Sequence, residues 1–202
     1  MDTVRALLDK AGRTYAEDAG IKLADKPAPL YQLLVLATLL STRIKADIAV
    51  AAARELRTLA PTPRKMLDAG WQDRVDALGR AHYVRYDEST ATALGEGAQL
   101  LLDEYKGDLR RIRGDKLAEQ LRRFPRLGPV GVDIFCREAQ AVWPELRPYL
   151  DKKTLDGAGK VGLPTDAAQL AKRVRDSDVP RLAAALVRVS LDRKLAEAVR
   201  AA

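Results

Sequence analysis

The chemistry in this chain is concentrated in Leu121-Arg122-Arg123-Phe124-Pro125-Arg126-Leu127-Gly128-Pro129-Val130-Gly131-Val132. Two helical patterns flank a Pro/Gly turn here. Such a turn gathers backbone N–H groups at a helix start, where their partial positive charge attracts a phosphate. Arg122, Arg123 and Arg126 surround that point. Helical proteins that never touch nucleic acid also join helices by Pro/Gly turns with surface arginines, so the neighbouring segments must decide. Farther on, Asp151 follows Pro148 and precedes Lys152-Lys153-Thr154, a setting that reads as a helix N-cap.

The rarest residues exclude other chemistries. Cys136 is the single cysteine, so neither a disulfide framework nor a four-thiolate cluster can form within the chain. His82 is the single histidine, which argues against a zinc site, and no cofactor is expected. Cys136 reads as an inert core thiol and His82 as an ordinary loop residue rather than a general acid. Lys and Arg number 35 against 28 Asp and Glu, a formal charge of +7. That excess favours an anionic partner, although modest basicity is common in proteins without one.

These residues have to be positioned by helices. With 202 residues the chain can form one large domain or two small lobes. It is 47% hydrophobic and 31% charged, rich in Ala and Leu and poor in β-branched runs, which predicts an all-α fold. The apolar run from Pro29 to Leu40 is interrupted by Gln32 and Thr38 and falls short of the ~20 residues that span a bilayer, so it reads as a buried core helix. The start, Met1-Asp2-Thr3-Val4-Arg5, lacks the pattern of a secretory signal, so the expected location is cytoplasmic, with no membrane partner.

Apolar spacing predicts a first helix through Leu7, Leu8, Ala11 and Tyr15 to near Gly20, then one at Leu30–Leu39. Another comes next through Ile48, Ala52 and Leu56 to Pro61, and then short helices at 63–69 and 72–78. A turn-rich stretch from Gly79 to Asp87 leads into a helix at 88–105. The helix at 114–124 has Asp115 as its expected cap, and another runs from Val130 to Val142. The three glycines of 154–163 predict an irregular stretch or a frayed turn, with helices after it at 166–175 and 180–200.

Several segments together carry a family resemblance. Leu39-Leu40-Ser41-Thr42-Arg43-Ile44-Lys45-Ala46-Asp47 resembles the Leu-Ser-x-Arg/Gln-Thr-Lys-Asp stretch of the endonuclease III family, which inserts a polar side chain near the displaced base. Gly70–Leu78, the turn Tyr83-Val84-Arg85-Tyr86 and the helix to Tyr105-Lys106-Gly107-Asp108-Leu109 match the family's order of elements. Phe124-Pro125-Arg126-Leu127-Gly128 resembles its hairpin Leu-Pro-Gly-Val-Gly, and Val142-Trp143-Pro144 precedes Asp151 at nearly the family distance. The resemblance covers roughly Leu30 to Leu163.

The resemblance implies a two-lobed helix-hairpin-helix DNA glycosylase-like architecture, with residues 23–132 as one helical lobe and residues 1–22 and 133–202 as the other. It implies that Asp151 is catalytic, stabilising an oxocarbenium-like sugar and helping a water attack. It implies double-stranded DNA as partner of a monomer, bound through Arg43, Arg122, Arg123, Arg126, Leu127, Gly128, Val130, Gly131 and Lys152. Tyr31 and Tyr149 are the expected lining of a pocket that stacks a flipped base, together with the candidates Tyr83 and Tyr86, although buried tyrosines are more often core.

The chain also departs from the family. Val130 or Gly131 stands where bifunctional members carry a lysine that forms a Schiff base, which points to base excision without strand cleavage. Lys152 or Lys153 remains a conceivable amine. Arg126 replaces the first hairpin glycine, and a non-glycine residue tolerates positive φ poorly, so a remodelled turn is expected. The alternative to a monofunctional glycosylase of base excision repair is a non-catalytic helix-hairpin-helix DNA-binding protein, or a helical interaction protein whose basic face only solubilises it.

Overall fold

A computed structural model describes residues 2–202 and contains α-helices and short 3₁₀ turns, with no strand among the described residues. The all-α expectation holds. The chain divides into two compact units. Asp18–Phe135 forms the middle unit, and the residues up to Glu17 together with Cys136–Ala202 form the terminal unit.

The single helix predicted up to Gly20 is two helices, α1 (Thr3–Ala11) and α2 (Tyr15–Asp18). Gly12 ends α1 by donating its N–H to Leu8 O, and a Cβ there would stand 2.4 Å from that oxygen. Thr14 and Glu17 then form a capping box. Thr14 N donates to Glu17 Oε2 at 2.7 Å, and Glu17 N donates to Thr14 Oγ1 at 3.2 Å. The buried Glu138 carboxylate accepts the next two amides, those of Tyr15 and Ala16, both at 3.0 Å. Burial pushes the Glu138 carboxyl above the usual carboxylate range, against those N–H bonds and the charges of Arg137 and Arg188.

The middle unit is built around α3 (Pro27–Leu40). Pro27 and Pro29 open it where helical amides have no acceptor to lose, and its residues from Leu30 to Leu39 are buried apart from Gln32. Gln32 donates from Nε2 to Pro61 O, which satisfies the one long polar side chain on this face. α3 packs on α4 (Ala46–Leu59). α5 (Pro63–Asp68) and α6 (Gly70–Arg80) pack on α7 (Asp87–Tyr105). His82 comes just after α6 with φ +61°, and the bonds Tyr83 N to Leu78 O and His82 N to Gly79 O close a Schellman motif around it. His82 therefore terminates a helix. α8 (Leu117–Leu121) is shorter than predicted, with Lys116 rather than Asp115 at its cap position. α9 (Pro129–Ala139) begins in this unit, and the chain leaves the unit along it.

In the terminal unit the stretch expected to be irregular is helical, α10 (Lys152–Lys160). Its glycine at 157 serves contact rather than flexibility, because a Cβ there would stand 2.0 Å from Leu186 O on α12 (Val179–Leu191). α11 (Ala167–Ala171) starts where predicted, with Asp166 accepting from Gln169 N. The helix expected over 180–200 breaks at Asp192, whose carboxylate accepts from Leu195 N and so caps α13 (Arg193–Arg200). Leu7, Leu150, Leu170, Leu182 and Leu186 are central to this unit's core. No helix among the described residues is long and apolar enough to cross a membrane.

Candidate active site

In the middle unit, α8 leads into a tight turn in which Phe124 N donates to Leu121 O and Leu127 N to Phe124 O. The turn is not remodelled by its arginine. Arg126 adopts φ +65°, the conformation that glycine would take. A left-handed non-glycine residue costs about 1–2 kcal/mol, and the surroundings offset this. Ser41 Oγ donates to Arg126 O at 3.2 Å. The guanidinium donates to Ser89 Oγ at 2.5 Å and Thr90 Oγ1 at 3.3 Å, and lies 5.5 Å from the Tyr86 ring centroid.

This network closes on itself. Thr90 Oγ1 lies 3.4 Å from Tyr83 Oη, and Tyr83 Oη lies 2.8 Å from Thr42 Oγ1, beside Ser41. Three segments singled out in the sequence, Ser41-Thr42-Arg43, the Tyr83–Tyr86 turn and the hairpin, are thereby tied together. Gly131 lets the loop after α3 approach α9, since a Cβ there would meet Leu127 Cδ1 at 2.7 Å and Ser41 Cβ at 3.4 Å. Ser89 and Thr90 were not among the sequence candidates. Their signal, two hydroxyls in the first turn of a helix, also suits ordinary helix starts.

The hairpin exposes groups suited to an anion. The amides of Gly128, Val130 and Gly131 have no acceptor among the described residues, as first-turn amides of a helix lack one. Arg43 and Arg122 are exposed and have no side-chain partner among the described residues. Arg123 is engaged instead, donating to Tyr105 Oη at 2.7 Å and pairing with Glu104 at 2.5 Å. Leu127 has its side chain in the core, whereas Val130 is 63% exposed on the first turn of α9. Arg85 also lies over the Tyr86 ring, at 5.3 Å.

A charge placed at that helix start tests its affinity for phosphate. A Cβ on Gly128 meets nothing within 4 Å, so Gly128→Asp adds a carboxylate without a clash. If the duplex binding that the family resemblance implies takes place, this change is expected to weaken it by about tenfold or more, whereas Lys172→Ala, after α11, is expected to change it less than about twofold. Equal effects in a binding titration would remove the hairpin from the interface.

Asp151 stands in the terminal unit at the N-cap position of α10, but its side chain caps nothing. Its Oδ2 accepts from Arg137 Nη1 at 2.8 Å, and both side chains are 10% exposed. Its Oδ1 is buried without a hydrogen-bond partner. Gln140 braces the preceding segment, accepting from Tyr149 N at 2.8 Å and donating to Tyr149 O at 3.1 Å. Nothing in the sequence singled out Arg137.

The expected pocket tyrosines lie in different units. Tyr149 is half-buried in the terminal unit. Tyr31 lies in the core of the middle unit, 2% exposed, with its hydroxyl unpartnered, and burial holds that hydroxyl well above the ordinary tyrosine range despite the charge of Arg74. Lys152 is exposed and pairs with Asp156 one turn along α10, at 3.0 Å. Lys153 is exposed, and Cys136 is buried.

No family model and no curated protein matches the sequence. Among solved structures, the chain is similar to endonuclease III trapped with DNA as a covalent intermediate. The TM-score is 0.52 at 13% identity, covering 91% of this chain and 83% of that one. It is similar also to a non-covalent endonuclease III–DNA complex, with a TM-score of 0.53, 13% identity, and 91% and 82% of the two chains covered. At this identity the likeness shows the fold, and the chain has the all-α fold of endonuclease III.

Proposed function

We propose that the chain is a monofunctional DNA glycosylase of base excision repair, which binds double-stranded DNA and hydrolyses the N-glycosidic bond of a damaged or mispaired base flipped from the duplex. The reading rests most heavily on Asp151, a nine-tenths buried carboxylate at a helix start that leaves the cap unmade and keeps one oxygen unpaired. The fold, the hairpin's open amides and the formal charge of +7 support it. In the reaction the C1′–N bond breaks, and its electron pair leaves with the base, which takes up a proton. Asp151 stabilises the positive charge that develops on the sugar. A water then adds to C1′ and gives up its proton, which passes by way of Asp151 to solvent.

The direct test incubates the protein with duplexes carrying alkylated, oxidised, deaminated or mismatched bases and measures free base. Release from at least one of them is expected. Binding to all with release from none would leave the non-catalytic reading.

Once the base has left, the strand should stay intact. Val130, exposed at the first turn of α9, offers no amine, and a lyase step on the sugar requires one. Lys152 is on the exposed face of α10, where its amine pairs with Asp156. Free base should appear without a strand break until alkali is added, and borohydride should trap no covalent adduct. An adduct that disappears in Lys152→Ala or Lys153→Ala would name a lyase amine and overturn the monofunctional assignment.

A further inference from the structure

An aspartate at an N-cap ordinarily accepts from the amides of the first helical turn. Asp151 has the extended backbone for this, φ −76° and ψ 177°, but turns its carboxylate away from α10. It makes one charged bond, Oδ2 to Arg137 Nη1 at 2.8 Å, from a side chain that is itself 10% exposed. A carboxylate withdrawn from water loses its hydration, and a cation held at hydrogen-bond distance offsets that loss. Such a pair usually gains from further bonds to its remaining lone pairs. Here Oδ1 is buried and has none. Arg137 therefore keeps the charge in place and fixes the plane of the carboxyl while the other oxygen stays uncommitted.

We infer that Arg137 is the positioning residue of the acidic site, holding Asp151 by Oδ2 so that Oδ1 is the oxygen presented to the positively charged sugar. This rests on the glycosylase reading of Asp151. The guanidinium touches neither sugar nor base. A cation placed against Oδ1 stands nearer the carboxylate than the guanidinium that is bound to Oδ2, so attraction exceeds repulsion. Because Oδ1 is buried in the free protein, DNA binding has to uncover it.

The test uses two duplexes alike except at one nucleotide, which is either a cationic pyrrolidine analogue of the sugar or a neutral tetrahydrofuran abasic site. The wild-type protein is expected to prefer the cationic duplex by about tenfold or more. Arg137→Gln should reduce that preference to about twofold, with affinity for the neutral duplex unchanged. Arg137→Lys, which keeps a charge but not the planar fork, should fall between the two. In an Asp151→Asn background, Arg137→Gln should alter the preference no further. On a duplex the protein hydrolyses, Arg137→Gln should lower kcat and leave KM near its wild-type value.

A wild-type preference in Arg137→Gln would overturn the positioning role and leave Asp151 standing. If that variant does not fold, Arg137→Lys decides, and a wild-type preference there overturns the inference equally. Absence of any preference in the wild-type protein would instead remove the glycosylase reading of Asp151, and this inference with it.

Discussion

Asp151→Asn is expected to lower the rate of base release by about a hundred- to a thousandfold while duplex affinity stays within about twofold. The side chain keeps its shape and an oxygen acceptor for Arg137, whose Nη1 lies 2.8 Å from Oδ2. Only the charge is lost. A negative charge that faces a sugar becoming positive acts in the transition state, so its removal belongs to the catalytic step and not to binding. Removing one partner of a buried pair outright destabilises by about 3–5 kcal/mol, and Asn should cost less because its hydrogen bond to the guanidinium survives. Thermal unfolding separates that loss from the catalytic one. Single-turnover base release and a duplex titration on the same preparation read the two effects independently. Retained release would move the catalytic role away from Asp151, and a parallel collapse of binding would make the residue structural.

How much of the molecule is legible in its sequence depends on the range over which each signal acts. α3 is legible because its residues are apolar nearly all round, which only a core position tolerates. Ser41-Thr42-Arg43, the Tyr83–Tyr86 turn and the hairpin are legible as local patterns, and the middle unit ties them together. Structure and expectation part where one local signal has two causes. The glycines of 154–163 suggest an irregular stretch, although Gly157 is small because Leu186 lies against it. Asp192 looks like a helical interior position and is a cap. At Thr14–Glu17 the apolar spacing runs on through the position where a capping box starts a new helix. Arg126 argues against a positive φ, and the contacts that hold it there come from Ser41, Ser89 and Thr90, too far away in sequence for a local pattern to show. The tie between Arg137 and Asp151 likewise spans 14 residues and two helices. A lone arginine in a helical pattern gives no sign of its partner.

Gly157→Ala is expected to destabilise the protein by about 3 kcal/mol, because overpacking an interior contact costs roughly 1–3 kcal/mol and more where backbone has to move. The added methyl would stand 2.0 Å from Leu186 O and 2.8 Å from Leu186 C, main-chain atoms of α12 that no side-chain rotation can clear. α10 must therefore move off α12. On a chain of this size such a loss should lower the thermal midpoint by roughly 10 °C. Gly159→Ala, two residues along the same helix, is the control. Its nearest obstacle is Thr165 Cγ2 at 3.4 Å, an ordinary contact, so replacing this helical glycine should raise stability by about 0.5–1 kcal/mol. The pair distinguishes contact from helix propensity, since propensity alone predicts a gain at both positions. The effect also reaches the acidic site, because Asp151 immediately precedes α10, the helix that carries Gly157. A displaced α10 carries the Asp151 backbone away from Arg137, so base release should fall in Gly157→Ala even at temperatures where the protein stays folded, while Gly159→Ala releases base at the wild-type rate. A Gly157→Ala protein as stable and as active as the wild type would mean that α10 does not lie against Leu186 and that the placement of Asp151 does not depend on that contact.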